Sequence, residues 1–128
     1  MVVENPRVLV ADDDPCILSL VKTVLEIEGF SVLSASNGRE ALREVEDHRP
    51  DVVLLDVMMP VMDGVTCCKE LRKNPETATT PIVIMSAALN LAELKETGAD
   101  GFIAKPFDND ELVSLLMNRI QERKQQTA

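Results

Sequence analysis

Four short apolar runs of the chain each end on polar side chains that could bind a phosphoryl group or a cation. The runs and their polar ends are Val8–Ala11 before Asp12, Asp13 and Asp14; Val52–Leu55 before Asp56; Ile82–Met85 before Ser86; and Gly101–Ala104 before Lys105. If the runs are parallel strands of one sheet, these ends lie along one edge, where α/β sheets bind their ligands. At about 4 Å, two unit charges interact by roughly 4 kcal/mol at an effective dielectric constant of about 20. Carboxylates packed that closely therefore favour a divalent metal ion among them.

The acidic residues divide into helix caps and candidate metal ligands. Asp14 precedes Pro15, and proline favours the first position of a helix, so we predict Asp14 as an N-cap. Asp12 and Asp13 then remain for the metal. Other predicted helix starts are Asp63 before Gly64, Asn37 with Glu40 and Asp108 with Glu111, the last two pairs at capping-box spacing.

Asp56 follows a wholly apolar run and precedes a loop, 57–64, rather than a helix. A carboxylate there points to the crevice at the strand ends and could be a metal ligand, a nucleophile or both. Ser86, followed by Ala87 and Ala88, offers a hydroxyl and accessible backbone N–H groups. Lys105, held before a proline, can neutralise a phosphoryl oxygen as a point charge. Their joint occurrence, in this order, is the signal.

The elements that would position these residues alternate regularly along the chain. Strands are predicted over 7–11, 31–35, 52–55, 82–85 and 101–104, and helices over 15–28, 38–47, 64–73, 90–97 and 108–124. The pattern predicts an α/β fold, a doubly wound five-stranded parallel sheet with helices on both faces. We expect a single domain over residues 1–128, with its core at about 6–124 and a polar tail over 125–128.

Composition limits the function classes. A net charge of −9 argues against nucleic acid or an anionic membrane as a direct partner. The absence of a long apolar run and of a signal-peptide pattern predicts a soluble, cytoplasmic protein. Cys16, Cys67 and Cys68, with His48 the single histidine, do not match a zinc finger or a disulfide scaffold. We expect reduced thiols in or near the core and a surface position for His48.

The motifs resemble those of a known family. Matching segments are Val8–Pro15, Asp56–Gly64, Ile84–Ala87 and Lys105–Phe107. They resemble the receiver domain of two-component response regulators over roughly residues 6–124, and the length is close to that of single-domain, chemotaxis-type regulators. The resemblance implies a flavodoxin-like sheet of order 2-1-3-4-5.

The resemblance also implies a phosphorylation switch. Asp56 would accept a phosphoryl group from the phosphohistidine of a sensor histidine kinase or histidine phosphotransfer protein, in a reaction that the domain itself catalyses and later reverses by hydrolysis. The implied Mg²⁺ ligands are Asp12, Asp13, Asp56 and the backbone carbonyl of Met58. The implied phosphoryl-binding residues are Ser86, Ala87 and Lys105, with a cis peptide bond before Pro106.

In the family, phosphorylation draws the matching hydroxyl, here Ser86, toward the phosphoryl group and turns an aromatic ring of the fifth strand, here Phe102, inward. The output face would comprise the predicted helix at 90–97, the fifth strand and the helix at 108–124. It would bind a downstream output protein or output domain, with the chain a monomer or a phosphorylation-dependent dimer.

Two departures and three alternatives accompany this interpretation. Phe102 lacks the hydroxyl that a hydrogen-bonded switch would use, and the segment 87–104 looks about one helical turn short, so we expect residues 88–98 to be mobile or to present an unusual partner face. The alternatives are a Mg²⁺-dependent phosphatase of the haloacid-dehalogenase type, a flavodoxin-like electron carrier and a pseudo-receiver scaffold. A phosphatase of that type has its nucleophile after the first strand, whereas the isolated Asp56 follows the third. A flavodoxin-like carrier would have a phosphate-binding turn after the first strand, where this chain has the acidic segment Asp12–Pro15.

Overall fold

Five apolar segments form the strands, and amphipathic segments between them form the helices. The computed structural model describes residues 5–87 and 95–126. Its elements are β1 (Arg7–Ala11), α1 (Pro15–Ile27), β2 (Ser31–Ala35), α2 (Gly38–His48), β3 (Val52–Asp56), α3 (Gly64–Lys73), β4 (Ile82–Ser86), β5 (Gly101–Ala104) and the C-terminal helix (Asn109–Gln126). Every predicted strand and four predicted helices occur, with bounds within two residues. The predicted helix at 90–97 and the predictions made for it fall largely on residues 88–94, outside the described ranges.

The five strands form one parallel sheet in the order β2-β1-β3-β4-β5, as the resemblance implied. Ala11 is in register with Leu55, Asp56 with Met85, and Ser86 with Ala104. The residues that end β1, β3, β4 and β5 therefore lie along one edge of the sheet.

Alternate residues of the central strands face two hydrophobic layers. Val8 and Val10 of β1 pack in a cluster with α1 and the C-terminal helix, and Leu9 and Ala11 pack in a second cluster with α2 and α3. Burial on both faces explains why β1, β3 and β4 read as continuous apolar runs.

The predicted helix starts are confirmed by their caps. The Asp14 carboxylate accepts a hydrogen bond from the Cys16 amide at 2.9 Å, and the Asp63 carboxylate accepts one from the Thr66 amide at 2.7 Å. The Asn37 side chain accepts one from the Glu40 amide at 2.9 Å. Asp108 accepts one from the amide of Asp110 at 3.3 Å, just inside the C-terminal helix.

The prediction for the thiols is confirmed for two of the three. Cys67 and Cys68 are buried in α3, and burial raises the pKa of Cys67 to about 12. The expectation that Cys16 also packs in or near the core is wrong, because it lies on the solvent side of the first turn of α1 and is exposed. His48 is exposed, as expected. Among the described residues no helix is long and apolar enough to span a membrane.

Candidate functional site

The edge formed by the carboxyl ends of the strands carries a cluster of buried polar side chains. Asp12, Asp56 and Ser86 are only 1%, 6% and 7% exposed, whereas Asp13 is exposed. Asp12 and Asp13 follow β1, and Asp56 ends β3, its neighbour in the sheet. The winding direction reverses at β1, which is where doubly wound sheets bind ligands.

The three carboxylates converge. One oxygen each from Asp12, Asp13 and Asp56 lies within 4.8 Å of the others. Among the described residues, no other group of at least three His, Cys, Asp or Glu side chains converges in this way. The sequence assigned these carboxylates to one cluster, and the structure brings all three together.

Lys105 reaches into this cluster from the loop after β5. Its Nζ lies 2.8 Å from Asp12 Oδ2 and 3.0 Å from Asp56 Oδ1, and its side chain is 17% exposed. The Lys105–Pro106 peptide bond is cis, as the resemblance implied. The backbone N–H of Lys105 donates to the Ser86 carbonyl at 2.8 Å, which places the two residues side by side at the ends of β4 and β5.

The carboxylates differ in how firmly they are held. Asp12 Oδ1 accepts a hydrogen bond from the Asp14 amide at 2.9 Å, while Oδ2 pairs with Lys105. Both oxygens of Asp12 are therefore engaged by the protein. Asp13 stands at the exposed side of the cluster, where an incoming cation has access to it.

The electrostatics of the cluster act against ionisation of Asp56. Burial raises the pKa of its carboxyl, the Lys105 ammonium opposes that shift, and the negative charges of Asp12 and Asp13 reinforce it. For Lys105, burial alone would lower the pKa, but hydrogen bonds to Asp12 and Asp56 outweigh burial and raise it. The ammonium is thus held in its charged form by the carboxylates.

These residues fit a magnesium ion. Three ionised carboxylates and one ammonium leave two negative charges, which one divalent cation balances. All the donors are oxygens, the ligand type that Mg²⁺ prefers. A cation at this position would also offset the charges that raise the pKa of Asp56.

The other residues singled out in the sequence lie around this cluster. Met58 is in the loop directly after Asp56, and its side chain is exposed. Ala87 is exposed beside Ser86. Phe102 is half-buried and packs against the hydrophobic cluster that contains α2 and α3, so its ring is part of that layer in this structure.

An apolar groove beside the cluster was missed by sequence reasoning. It has a volume of about 350 Å³ and is lined by Ile17, Leu20, Val21, Ala87, Lys105, Pro106, Phe107 and Asn109. Lys105 belongs to both the groove and the acidic cluster. Leu20 and Ile27, on the same side of α1, are 61% and 77% exposed. The sequence did contain a signal for this groove, because the apolar residues of α1 cover a wider face of the helix than the sheet can bury.

The fold and the site together define a flavodoxin-like α/β protein with a carboxylate, hydroxyl and ammonium cluster suited to phosphoryl chemistry. Comparison with known proteins specifies the family: residues 8–117 match the response regulator receiver domain. The chain belongs to this family, whose members are signalling switches that pair with histidine kinases. This membership decides against the phosphatase and electron-carrier alternatives.

Relatives and solved structures agree. The DNA-binding response regulator MtrA of Mycolicibacterium smegmatis is 37% identical over 125 residues, which cover 95% of this chain and 54% of MtrA. The receiver domain of sensor histidine kinase PA1611 from Pseudomonas aeruginosa, solved with magnesium coordinated in the active site cleft, is 27% identical with a TM-score of 0.86, covering 91% of this chain and 98% of that one. The chemotaxis response regulator CheY4 of Vibrio cholerae is 34% identical with a TM-score of 0.83, covering 89% and 98%. The chain spans about half the length of the curated relatives it matches.

Proposed function

We propose that Asp56 is the phospho-acceptor of this receiver domain and that Asp12, Asp13, Asp56 and the Met58 carbonyl hold Mg²⁺. The observation that carries the proposal is the position of Asp56. Its carboxylate is buried at the end of β3, 3.0 Å from the Lys105 ammonium and within 4.8 Å of two further carboxylates. Among the described residues, Asp12 is also buried and paired with Lys105 in this cluster, but its other oxygen accepts a hydrogen bond from the Asp14 amide, so both of its oxygens are already engaged by the protein.

In the proposed transfer, an Asp56 oxygen forms a bond to phosphorus while the bond from phosphorus to the donor imidazole nitrogen breaks and its electron pair returns to the imidazole. Bound Mg²⁺ supplies charge neutralisation and orientation for the phosphoryl oxygens. Lys105 is already 3.0 Å from the acceptor and can pair with a phosphoryl oxygen. The Ser86 hydroxyl and the Ala87 backbone N–H would bind the remaining oxygens. Attack by water then releases phosphate and restores the carboxylate, so the switch also catalyses its own dephosphorylation.

The phosphoryl group would shift the population between two conformations. It interacts with Ser86 in only one of them, which supplies the differential contact that such a shift requires. Phe102 lies in the layer beneath this edge and is the proposed aromatic partner of the switch. The proposed output face comprises β5, the C-terminal helix and the segment between β4 and β5.

The phosphoryl donor is proposed to be a histidine kinase or histidine phosphotransfer protein that approaches over the apolar groove. The groove leads directly to the site, because Lys105 lines it and also contacts Asp56. Leu20 and Ile27 extend its apolar surface along α1. A partner helix with an apolar face would cover that surface while presenting its phosphohistidine to the acceptor.

The output partner differs between the relatives. CheY4, which this chain matches over almost its whole length, supports a stand-alone chemotaxis-type regulator. The curated relatives are longer DNA-binding or transcriptional regulators, and they support a receiver that controls a separate output domain. In either case we propose that residues 1–128 are one receiver domain. Its net charge of −9 favours a protein partner over direct contact with nucleic acid.

Intact mass after incubation with Mg²⁺ and acetyl phosphate tests the proposal. The parent is expected to gain one phosphoryl group that is absent with EDTA and absent in Asp56→Asn. Asp63→Asn, a helix cap in the adjacent loop, serves as the matched control and is expected to gain the group. A parent that binds Mg²⁺ but gains no phosphoryl group from acetyl phosphate or from a phosphohistidine donor would support the pseudo-receiver scaffold instead.

A further inference from the structure

The loop that follows the proposed acceptor, residues 57–63, is hydrogen-bonded near both of its ends to the first residues of two helices. The Gly64 amide, at the start of α3, donates to the Val57 carbonyl at 3.1 Å. The Gly38 amide, at the start of α2, donates to the Met62 carbonyl at 2.8 Å. We call this segment the acceptor loop.

Both contacts require glycine for steric reasons. A Cβ atom on Gly38 would overlap the Met62 carbonyl oxygen, and one on Gly64 would overlap the Asp56 carbonyl oxygen. Neither glycine has a positive φ angle, so an alanine could adopt the same backbone conformation. The obstacle at both positions is the close approach of another part of the backbone, which cannot move aside as a flexible side chain would.

The hydrogen bond from the Gly38 amide to the Met62 carbonyl supplies an acceptor to the start of α2 and fixes the end of the acceptor loop. The first N–H groups of a helix have no acceptor within the helix. In α2 the Asn37 side chain accepts from the Glu40 amide, and the Met62 carbonyl accepts from the Gly38 amide. The start of α2 therefore holds the acceptor loop, although the two are far apart in sequence.

The loop is held in a conformation that its own sequence does not favour. Val61 has a φ angle of 68°, in the left-handed region that β-branched residues rarely adopt. The Met62 amide donates to the Pro60 carbonyl at 2.7 Å, which closes a γ-turn around Val61. Such a conformation persists where the surrounding structure imposes it, and the bonds made by Gly38 and Gly64 do so here.

We infer that Gly38 is a positioning residue for the acceptor site: by fixing Met62 it holds the acceptor loop so that the Met58 carbonyl and Asp56 keep the spacing that Mg²⁺ requires. The inference rests on the proposed function, because Met58 is a metal ligand only in that proposal. Gly38 itself touches neither the metal nor the phosphoryl group. It acts through the backbone of the loop.

The test compares Gly38→Ala with Gly29→Ala, using Mg²⁺ itself as the probe. Gly29 has a φ angle of +97°, and apart from its own chain neighbours nothing lies within 4 Å of the position that a Cβ would take, so alanine there strains the backbone remote from the loop. Both variants are expected to be less stable than the parent in EDTA. Mg²⁺ affinity, measured by calorimetry, is expected to fall about 10–100-fold in Gly38→Ala, the range seen when residues that support metal ligands are changed, and to stay at the parental value in Gly29→Ala.

Amide hydrogen exchange in the parent keeps the inference testable if Gly38→Ala does not fold. Mg²⁺ is expected to slow exchange of the Gly38 amide, because a metal that fixes the acceptor loop also fixes the acceptor of that hydrogen bond. The inference about Gly38 would be overturned, with the proposed function left standing, if a folded Gly38→Ala bound Mg²⁺ as tightly as the parent or if Mg²⁺ did not change exchange of the Gly38 amide. A parent that binds no Mg²⁺ would instead overturn the proposed metal site.

Discussion

Replacing Asp13 by asparagine should stabilise the metal-free protein, which is the opposite of what loss of a functional residue usually suggests. Asp13 contributes one of three carboxylates whose oxygens lie within 4.8 Å of one another, and among the described residues the Lys105 ammonium is the one that pairs with this cluster. The charge of Asp13 is repelled by two carboxylates and attracted by one ammonium. The attraction cancels roughly one of the two repulsions, so the equivalent of about one repulsive pair is left. Because Asp13 is exposed, a water-like dielectric constant applies, and the pair is worth about 1 kcal/mol.

The assay is thermal or urea unfolding in EDTA at low ionic strength. A gain of about 1 kcal/mol corresponds to a rise in melting temperature of roughly 3–5 °C for a domain of this size. Glu26→Gln removes an exposed carboxylate of α1 outside the cluster and should change the free energy of unfolding by less than about 0.5 kcal/mol. Salt should reduce the gain from Asp13→Asn by screening the repulsion.

Magnesium should reverse the order of stability. A ligand that binds only the native state at 100 times its dissociation constant stabilises the parent by about 2.7 kcal/mol. Asp13→Asn lacks an accessible ligand and should gain much less, so the parent becomes the more stable protein. If the metal-free variant unfolds at a lower temperature than the metal-free parent, the account of a crowded acidic cluster is wrong.

Three further changes test separate parts of the structure. The pKa of Asp56 is raised in the native state, so the native protein keeps this proton at pH values above the ordinary pKa of 3.8, and the contribution of Asp56 to stability should decline as pH rises from 3.8 through the folded-state pKa. Asp56→Asn should remove that decline from unfolding curves measured without metal. Identical pH profiles for the parent and the variant would contradict the raised pKa. Val61→Gly should raise the free energy of unfolding by up to about 1 kcal/mol, since relief of about 1–3 kcal/mol of strain exceeds the entropic cost of glycine; a less stable variant would show that Val61 is not strained. Leu20→Glu should slow phosphoryl transfer from a phosphohistidine protein while leaving the rate with acetyl phosphate unchanged, and equal loss with both donors would place the defect in the site rather than in the groove.

Features encoded by neighbouring residues could be predicted from the sequence. Each strand is a short apolar run because both of its faces are buried, and each run ends where a polar side chain meets the sheet edge. The starts of α1 and α3 are set by Asp14 and Asp63, whose side chains accept bonds from amides two or three residues ahead. Such contacts have a fixed spacing, so their residue types are visible in the sequence.

The order of the elements predicted which strand ends share an edge, but the individual contacts between residues far apart in the chain could not be predicted. The pairing of Lys105 with Asp12 joins residues 93 positions apart, and the bond from Gly38 to Met62 joins the start of α2 to the acceptor loop. The apolar groove combines α1 with the segment after β5. In each case the residue type allows many partners, and only the folded backbone selects one. The exposure of Cys16 was misjudged for the same reason, since its proximity to the site did not reveal which side of α1 it occupies.

The pairing of Lys105 also explains how one cluster can exist both with and without its ligands. In this structure its ammonium lies within 3.0 Å of both buried carboxylates and offsets part of their mutual repulsion. A phosphoryl group on Asp56 would add negative charge at the same edge. With the carboxylates neutralised by Mg²⁺, the Lys105 ammonium would then pair more favourably with a phosphoryl oxygen than with the carboxylates. Asp12 keeps its orientation through the Asp14 amide when that happens, because this hydrogen bond does not involve Lys105. In the proposed function, the lysine charge would therefore move to the phosphoryl group, while the carboxylates would stay where the ends of β1 and β3 hold them.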